Sequence, residues 1–124
     1  MKIVLAEREA EIMEVLWRQG PSTVAEVRER LKDHLAYTTV LTVLRNLESK
    51  GYVGHDEEGR AHRYSPRILR TTAQRSALRD LATKLFNGSS ALLLTELVRD
   101  ENLTEDDIKR IRRLLSGRTR SGAP

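Results

Sequence analysis

Residues 37–50 read YTTVLTVLRNLESK, and residues 51–66 continue the chain with GYVGHDEEGRAHRYSP. In the first stretch the apolar side chains recur every three or four residues, as in a helix with one buried face. They stand at Val40, Val43, Leu44 and Leu47. This spacing predicts a helix from about Tyr37 to Lys50, which Gly51 ends as a C′ glycine.

The stretch after this helix predicts a β-hairpin. Residues 52–56 and 61–65 read as two short strands. Residues 57–60, with the sequence EEGR, read as the turn between them, and Gly59 supplies the positive φ that such turns need. Pro66 closes the second strand because proline has no N–H to donate to a strand ladder.

Two further helices are predicted before this unit. The first covers about residues 6–18 and ends at the Gly-Pro pair of residues 20–21. Ser22 or Thr23 caps the second, with Glu26 as the capping-box partner of Thr23. Three helices followed by a hairpin predict a winged helix-turn-helix, in which the second and third helices form the helix-turn-helix and the hairpin is the wing.

The rest of the chain predicts three more helices. They cover about residues 68–86, residues 90–99 and, after a cap formed by Thr104 and Asp107, the stretch up to residue 116. The predicted fold class is therefore mostly α with a small β-hairpin. The predicted domains are a winged helix-turn-helix at residues 1–67, a three-helix dimerisation module at residues 68–116 and a flexible tail at residues 117–124.

Composition excludes several classes of protein. The 124 residues include 22 Lys and Arg against 18 Asp and Glu, and this net charge of +4 permits nucleic-acid binding without indicating it. The absence of cysteine excludes a disulfide framework and a Cys-based zinc site. The N-terminus is charged too early for a signal peptide, and the longest apolar run, residues 91–94, is too short to span a bilayer. We therefore expect a soluble, cytoplasmic protein.

The sequence indicates neither an enzyme nor a cofactor-binding protein. It has no Gly-x-Ser-x-Gly motif and no phosphate-cradling glycine loop, and its acidic clusters stand at predicted helix starts. Three histidines, His34, His55 and His62, raise the alternative of a metal site. His55 and His62 face each other across the predicted hairpin, but we find no carboxylate or cysteine at ligand spacing to complete a site. We therefore predict no catalytic residue, no metal and no cofactor.

The face of the third helix opposite its apolar stripe predicts DNA binding. It carries polar side chains and a cation that can meet phosphates, base edges or a thymine methyl group in the major groove. The candidate contacts on this helix are Thr38, Thr39, Thr42, Arg45 and Asn46. A merely solvated helix would more often carry Glu–Lys pairs. A winged-helix protein-interaction module, our second hypothesis, would lack this polar, cation-bearing face.

The predicted wing adds two candidate DNA contacts, Arg60 and Arg63. Arginines on a hairpin can lie along the DNA backbone or in the minor groove. The acids Glu57 and Glu58 favour the alternative of a solvated turn, because they would repel phosphate. We therefore assign the contacts of the wing to its two arginines.

The segment ALLLTELV at residues 91–98 predicts a dimer. Its apolar side chains cover most of the helix circumference, so the helix must be buried on more than one side. A second copy of the chain can bury it through a two-fold contact, and packing against the chain's own winged domain is the alternative. The residues predicted at the dimer interface are Leu81, Leu85, Leu92, Leu93, Leu97, Ile108, Ile111 and Leu115.

Four segments resemble the penicillinase repressor family, also called BlaI/MecI and grouped with CopY. They are EAEIMEVLW at residues 9–17, GPSTVAEV at 20–27, LAYTTVLTVL at 35–44 and GRAHRY at 59–64. The resemblance extends from about Leu5 to Leu115. It implies a homodimeric repressor that binds a palindromic operator in double-stranded DNA, with the third helix and the two wing arginines in the same roles as above.

Two departures from this family concern how repression is relieved. The resemblance implies a membrane sensor-peptidase system that acts indirectly and leads to cleavage of an Asn-Phe bond in the dimerisation module. The matching positions here are Glu96 and Leu97, which argues against cleavage at this bond. The copper-responsive branch uses C-terminal cysteines, and their absence excludes copper sensing by that route.

Overall fold

The computed structural model describes residues 2–99 and 102–121, and it describes side chains up to residue 118. Within these residues the chain forms six helices and three strands. In chain order they are α1 (Glu7–Gln19), β1 (Ser22–Thr23), α2 (Val24–Arg30), α3 (Tyr37–Ser49), β2 (Val53–Glu58), β3 (Ala61–Pro66), α4 (Arg70–Leu85), α5 (Ser90–Val98) and α6 (Glu105–Ser121). The mostly helical fold class predicted from the sequence is confirmed.

The core of the N-terminal part forms around the apolar face of α3. Val40, Leu44 and Leu47 have no exposed surface, and Val43 is half-buried. Ile12 of α1 belongs to the same core cluster and is also fully buried. Burial of each such side chain contributes roughly 1.5–3 kcal/mol of transfer free energy. The predicted single buried face of α3 is confirmed, and its opposite face is left free for solvent or a partner.

The predicted caps around the helix-turn-helix are present. Thr23 Oγ1 accepts a hydrogen bond from the Glu26 backbone N–H at 3.2 Å, and a Glu26 carboxylate oxygen accepts one from the Thr23 N–H at 3.2 Å. This reciprocal capping box fixes the start of α2. At the other end, Gly51 follows α3 with a φ of 85°, a conformation that suits glycine because it has no Cβ.

The sheet contains one strand that the sequence pattern did not predict. The two residues of β1 pair antiparallel with β3, Ser22 with Tyr64 and Thr23 with Arg63, so the strand order is β1-β3-β2. Two residues are too short to show an alternating pattern, and only the position of β3 reveals them. Because β1 leads directly into α2, the pairing ties the wing to the helix-turn-helix.

The turn of the wing is shorter than predicted. β2 continues to Glu58 and β3 begins at Ala61, which leaves a turn of two residues, Gly59 and Arg60. Gly59 has a φ of 63°, as the first central residue of a type II′ turn requires. Glu57 and Glu58, predicted as turn residues because acids carry little strand propensity, therefore belong to β2.

The first turns of α4 pack against the N-terminal unit. Trp17 Nε1 donates a hydrogen bond of 2.9 Å to the Ile68 carbonyl oxygen, and Ala73 is buried in the core. The Ile3 backbone N–H donates to Ser76 Oγ at 2.8 Å. Accordingly, the chain divides into the compact units Met1–Asp80 and Leu81–Pro124, whereas the sequence placed this boundary at residues 67 and 68.

The C-terminal unit begins within α4 and contains α5 and α6. Ser89 Oγ caps α5 by accepting from the Leu92 N–H at 3.1 Å. Thr104 and Asp107 exchange two bonds of 3.1 Å at the start of α6, so this predicted cap is present.

The last helix is longer than the sequence predicted. It continues to Ser121, past the predicted start of the tail at residue 117. One glycine in a helix costs only about 1 kcal/mol, so Gly117 does not end it. The rest of the predicted tail, residues 122–124, lies outside the described residues. Among the helices that the structure describes, none is long and apolar enough to cross a membrane.

Candidate nucleic-acid interface

The candidate DNA contacts of α3 all lie on its solvent side. The residues exposed there are Thr38, Thr39, Thr42, Arg45 and Asn46. They alternate along the helix with the buried Val40, Leu44 and Leu47, as a period of 3.6 residues requires. The structure therefore brings these five predicted residues together on one surface.

The electrostatics of this surface favour a negatively charged partner. Within the residues that the structure describes, no carboxylate forms an ion pair with Arg45. The first turn of α3 contains no acid, and its N-cap Ala36 has no side chain to bind the free N–H groups. The positive end of the helix dipole is thus left uncompensated by acidic side chains.

Glu48 is the one carboxylate in the sequence of α3, and it is directed to the wing. A Glu48 carboxylate oxygen lies 2.6 Å from Nδ1 of His55 on β2. An ionised carboxylate can only accept, so Nδ1 carries the proton and donates it. This contact occupies Glu48, and sequence analysis missed it because it depends on how α3 and β2 pack.

Tyr64 of β3 also lies near both the end of α3 and the base of the wing. Its side chain is buried, and its ring centroid lies 5.3 Å from that of His55. Burial raises the pKa of the Tyr64 phenol, the charge of Glu48 adds to this rise, and the charge of Arg45 opposes it. The buried Tyr64 therefore lies close to both the end of α3 and His55 of the wing.

Thr42 uses part of its hydrogen-bonding capacity within α3. Its hydroxyl donates to the Thr38 carbonyl oxygen at 2.8 Å. The oxygen can still accept a hydrogen bond, and the methyl group is exposed, so Thr42 suits an amino group of a base or a thymine methyl. Thr38 and Thr39 stand in the first turn, where threonine hydroxyls can reach phosphates.

The two arginines of the wing differ in their surroundings. Arg60 is exposed in the two-residue turn, and no ion pair involves it in the described part of the chain. Arg63 instead donates from Nε to Glu58 at 2.7 Å, and its Nη1 lies 3.3 Å from a Glu26 carboxylate oxygen. Its Nη1 also donates to the Pro21 carbonyl oxygen at 3.1 Å.

These contacts give Arg63 a structural role. The hydrogen bond to Glu58 and then the charge of Glu26 raise the pKa of Arg63 above its ordinary value. The side chain thus joins both strands of the wing to the start of α2. A DNA contact from Arg63 stays a prediction, and it would require the guanidinium to exchange a carboxylate for a phosphate.

The hairpin also gathers two of the three histidines. His55 and His62 stack with ring centroids 4.5 Å apart, and Nε2 of His62 lies 3.7 Å from a Glu57 carboxylate oxygen. The sequence reasoning that no carboxylate stands at ligand spacing is wrong, because Glu57 belongs to β2 and faces His62. His34 lies exposed in the connection between α2 and α3.

The residues predicted for the dimer lie mostly on the surface of the single chain. Of the eight, only Leu93 and Ile111 are half-buried. The exposed fractions of the other six are Leu81 38%, Leu85 74%, Leu92 45%, Leu97 47%, Ile108 41% and Leu115 49%. No residue of α5 is buried. The C-terminal unit therefore exposes several large apolar side chains in the single chain.

Comparison with known protein families identifies a family to which this chain is similar. The model of the family described as Penicillinase repressor matches residues 5–117. The Transcriptional regulator BlaI of Mycobacterium tuberculosis is 37% identical over 116 residues, which cover 90% of this chain and 83% of that protein. The Penicillinase repressor of Bacillus licheniformis is 23% identical over 113 residues, with 90% and 88% covered.

A solved structure agrees with the architecture. A MarR family protein from Bacillus stearothermophilus superposes with a TM-score of 0.53 at 18% identity, over 96% of this chain and 76% of that chain. At this identity the similarity concerns the fold alone. The fold in question is the winged helix, which α1, α2, α3 and the hairpin form here.

Proposed function

Because the chain belongs to the penicillinase repressor family, we propose that this transcriptional repressor acts as a homodimer on a palindromic operator. The exposed face of α3 is the observation that carries the proposal. It presents threonine hydroxyls, an amide and Arg45, which has no ion pair among the described residues, on a helix whose other face buries Val40, Leu44 and Leu47. A helix of this kind fits the major groove as the second helix of a helix-turn-helix.

Each group on α3 has a separate part in the proposed complex. Arg45 donates to a guanine edge or a phosphate, and Asn46 is suited to pair with adenine. Thr38 and Thr39 bind phosphates, which sets the register of the helix without reading sequence. Arg60 follows the DNA backbone from the turn of the wing, while Arg63 holds the wing in place.

The apolar surface of the C-terminal unit supports self-association. α5 buries no residue in the single chain, although six of its nine residues in SALLLTELV are neither charged nor hydroxylated. A two-fold contact would remove these side chains from water and would place two copies of α3 on two half-sites. Linking two reading heads raises affinity through effective concentration.

Two expectations from the sequence accompany this proposal. A transcriptional repressor must be in the same compartment as its DNA. The proposal therefore includes a cytoplasmic location. A membrane sensor-peptidase as an indirect partner rests on the family resemblance alone. At the positions of the family's cleaved pair, α5 carries Glu96 and Leu97, both exposed, and we propose that release does not depend on cleavage between them.

Titration of the full chain against DNA from upstream of its own gene tests the proposed function. We expect a shifted complex with two chains per operator, and weaker binding when one half of the palindrome is scrambled. A matched fragment of scrambled sequence is the control. Equal affinity for both fragments would contradict operator recognition and would favour the protein-interaction module instead.

A further inference from the structure

Three side chains with metal-ligating atoms share one face of the wing. His55 and Glu57 stand two residues apart on β2, so their side chains leave the strand on the same side. In the antiparallel register His62 of β3 lies directly opposite Glu57, on that same side. The hairpin itself therefore assembles two imidazoles and a carboxylate, and no flexible loop has to bring them together.

We propose that this cluster, His55, Glu57 and His62, binds a divalent first-row transition metal ion such as Zn²⁺. One ligand atom from each of the three lies within 4.8 Å of the other two. Around a tetrahedral Zn²⁺, with bonds of about 2.0–2.2 Å, ligand atoms stand roughly 3.3–3.6 Å apart. Binding an ion would bring these atoms closer together, and the stacked rings of His55 and His62 would have to rotate so that their lone pairs converge.

The distance between His62 and Glu57 supports an ion over a direct contact. Nε2 of His62 lies 3.7 Å from the Glu57 carboxylate oxygen, which is too long for a hydrogen bond. This distance is close to the separation between two ligand atoms of one ion. Both side chains are accessible, with 42% and 76% of their surface exposed, so rings and carboxylate can turn toward the ion.

Glu48 supplies the outer support that metal-binding histidines commonly have. Its carboxylate accepts a hydrogen bond from Nδ1–H of His55 at 2.6 Å, which fixes the tautomer. Nε2 of His55 then carries the free lone pair that a metal needs. A carboxylate behind a histidine in this way raises the basicity of the ligand and orients its ring.

The donor set selects the class of ion. Two imidazoles and one carboxylate suit Zn²⁺ and its neighbours, whereas Ca²⁺ and Mg²⁺ prefer oxygen ligands throughout. Three protein ligands leave the fourth tetrahedral position to water, as at an open zinc site. The negative charges of Glu48 and Glu57 together match the charge of the ion. Bound there, the ion links β2 to β3 beside the turn.

Zinc titration of the full chain, stripped of metal with a chelator and measured without DNA, tests this site. We expect one Zn²⁺ per chain by calorimetry. Because loss of an outer partner alone commonly costs 10- to 100-fold in affinity, His62→Gln and Glu57→Gln should each weaken binding at least about tenfold. Co²⁺ should give the visible absorption of a four-coordinate site, and that signal should vanish in His62→Gln.

His34→Gln is the matched control, because this exposed histidine lies away from the hairpin. It should leave zinc affinity unchanged. Thermal unfolding of the metal-free variants checks that exposed substitutions on the wing preserve the fold. Zinc affinity that is equal in the native chain and in His62→Gln, or that falls equally in His34→Gln, would overturn the proposal.

Discussion

The Glu48 carboxylate in the last turn of α3 accepts a hydrogen bond from the Nδ1–H of His55 on β2, with 2.6 Å between nitrogen and oxygen. The contact joins the two elements to which DNA contacts are assigned, the helix and the wing. Both side chains are about one-third exposed, so solvent screens the interaction in part. The hydrogen bond ties the wing to the last turn of α3.

Glu48→Ala should lower the free energy of unfolding by about 0.5–1.5 kcal/mol, because His55 loses its acceptor. In a double-mutant cycle with His55→Ala, measured by denaturant unfolding in the presence of a chelator, the two effects should be non-additive. Glu29→Ala, an exposed change on α2, is the control. Full additivity of the Glu48 and His55 changes would show that the contact contributes nothing.

A second ion pair makes the stability of the N-terminal unit depend on pH. Nζ of Lys50 lies 2.9 Å from both carboxylate oxygens of Glu9, and Oε1 also accepts from the Ala6 N–H at 2.9 Å. Burial of Glu9 raises its pKa, but the bonds from Lys50 and Ala6 and the charge of Lys50 outweigh burial and lower the pKa below the ordinary 4.5. The ionised form is therefore favoured by folding.

Glu9→Gln should cost about 1–3 kcal/mol of unfolding free energy at neutral pH. A carboxylate with a lowered pKa stabilises the fold fully above its unfolded pKa, and this contribution is lost as the pH falls through the folded pKa. The difference between native chain and variant should thus be constant above about pH 5 and shrink below pH 4.5. A difference that widens in acid would refute this sign. Glu7→Gln, an exposed change in the same helix turn, is the control.

Much of the proposed DNA-contacting surface follows from periodicity alone. The spacing of Val40, Leu44 and Leu47 predicts which face of α3 is buried, and hence that Arg45 is exposed. The ion-pair partners of Arg63, by contrast, cannot be predicted from the sequence pattern. Its partners Glu26 and Glu58 are 37 and five residues away, and only the pairing of β1 with β3 brings Glu26 near.

The error in the predicted length of the wing's turn had the largest effect on the predicted site. Acids favour loops, so the sequence placed Glu57 in the turn, yet a two-residue turn at Gly59 keeps it in β2. In the observed register Glu57 stands opposite His62. Whether Glu57 joins His55 and His62 therefore depends on where the two strands end, and periodicity predicts strand ends poorly.

Leu97→Lys tests the proposed dimer. Leu97 belongs to α5, the most apolar of the described helices. Leu97 is 47% exposed in the single chain, and a lysine there would place a charge in the proposed interface. By sedimentation equilibrium the native chain should have about twice the 14.2 kDa of one chain, and the variant should approach 14.2 kDa. Leu69→Lys, at a 70% exposed leucine of the other unit, should remain dimeric. A native chain that sediments as a monomer would refute the dimer.

Arg60→Ala tests the contact between the wing and the DNA backbone. Each phosphate neutralised by a cation adds about one to the slope of log affinity against log salt. The native chain should bind its operator much more weakly at high salt, and the variant should show a slope smaller by about one. Unchanged slope and affinity would remove Arg60 from the interface.

Arg45→Ala tests whether the exposed face of α3 reads DNA. Arg75→Ala is the matched control, since it removes an equal charge from an exposed position of α4. The measurement is the operator affinity of both variants by fluorescence anisotropy at one salt concentration. We expect Arg45→Ala to weaken binding by about 1–3 kcal/mol, roughly 5- to 150-fold, and Arg75→Ala to have little effect. Native affinity in Arg45→Ala, or an equal loss in both variants, would contradict this expectation.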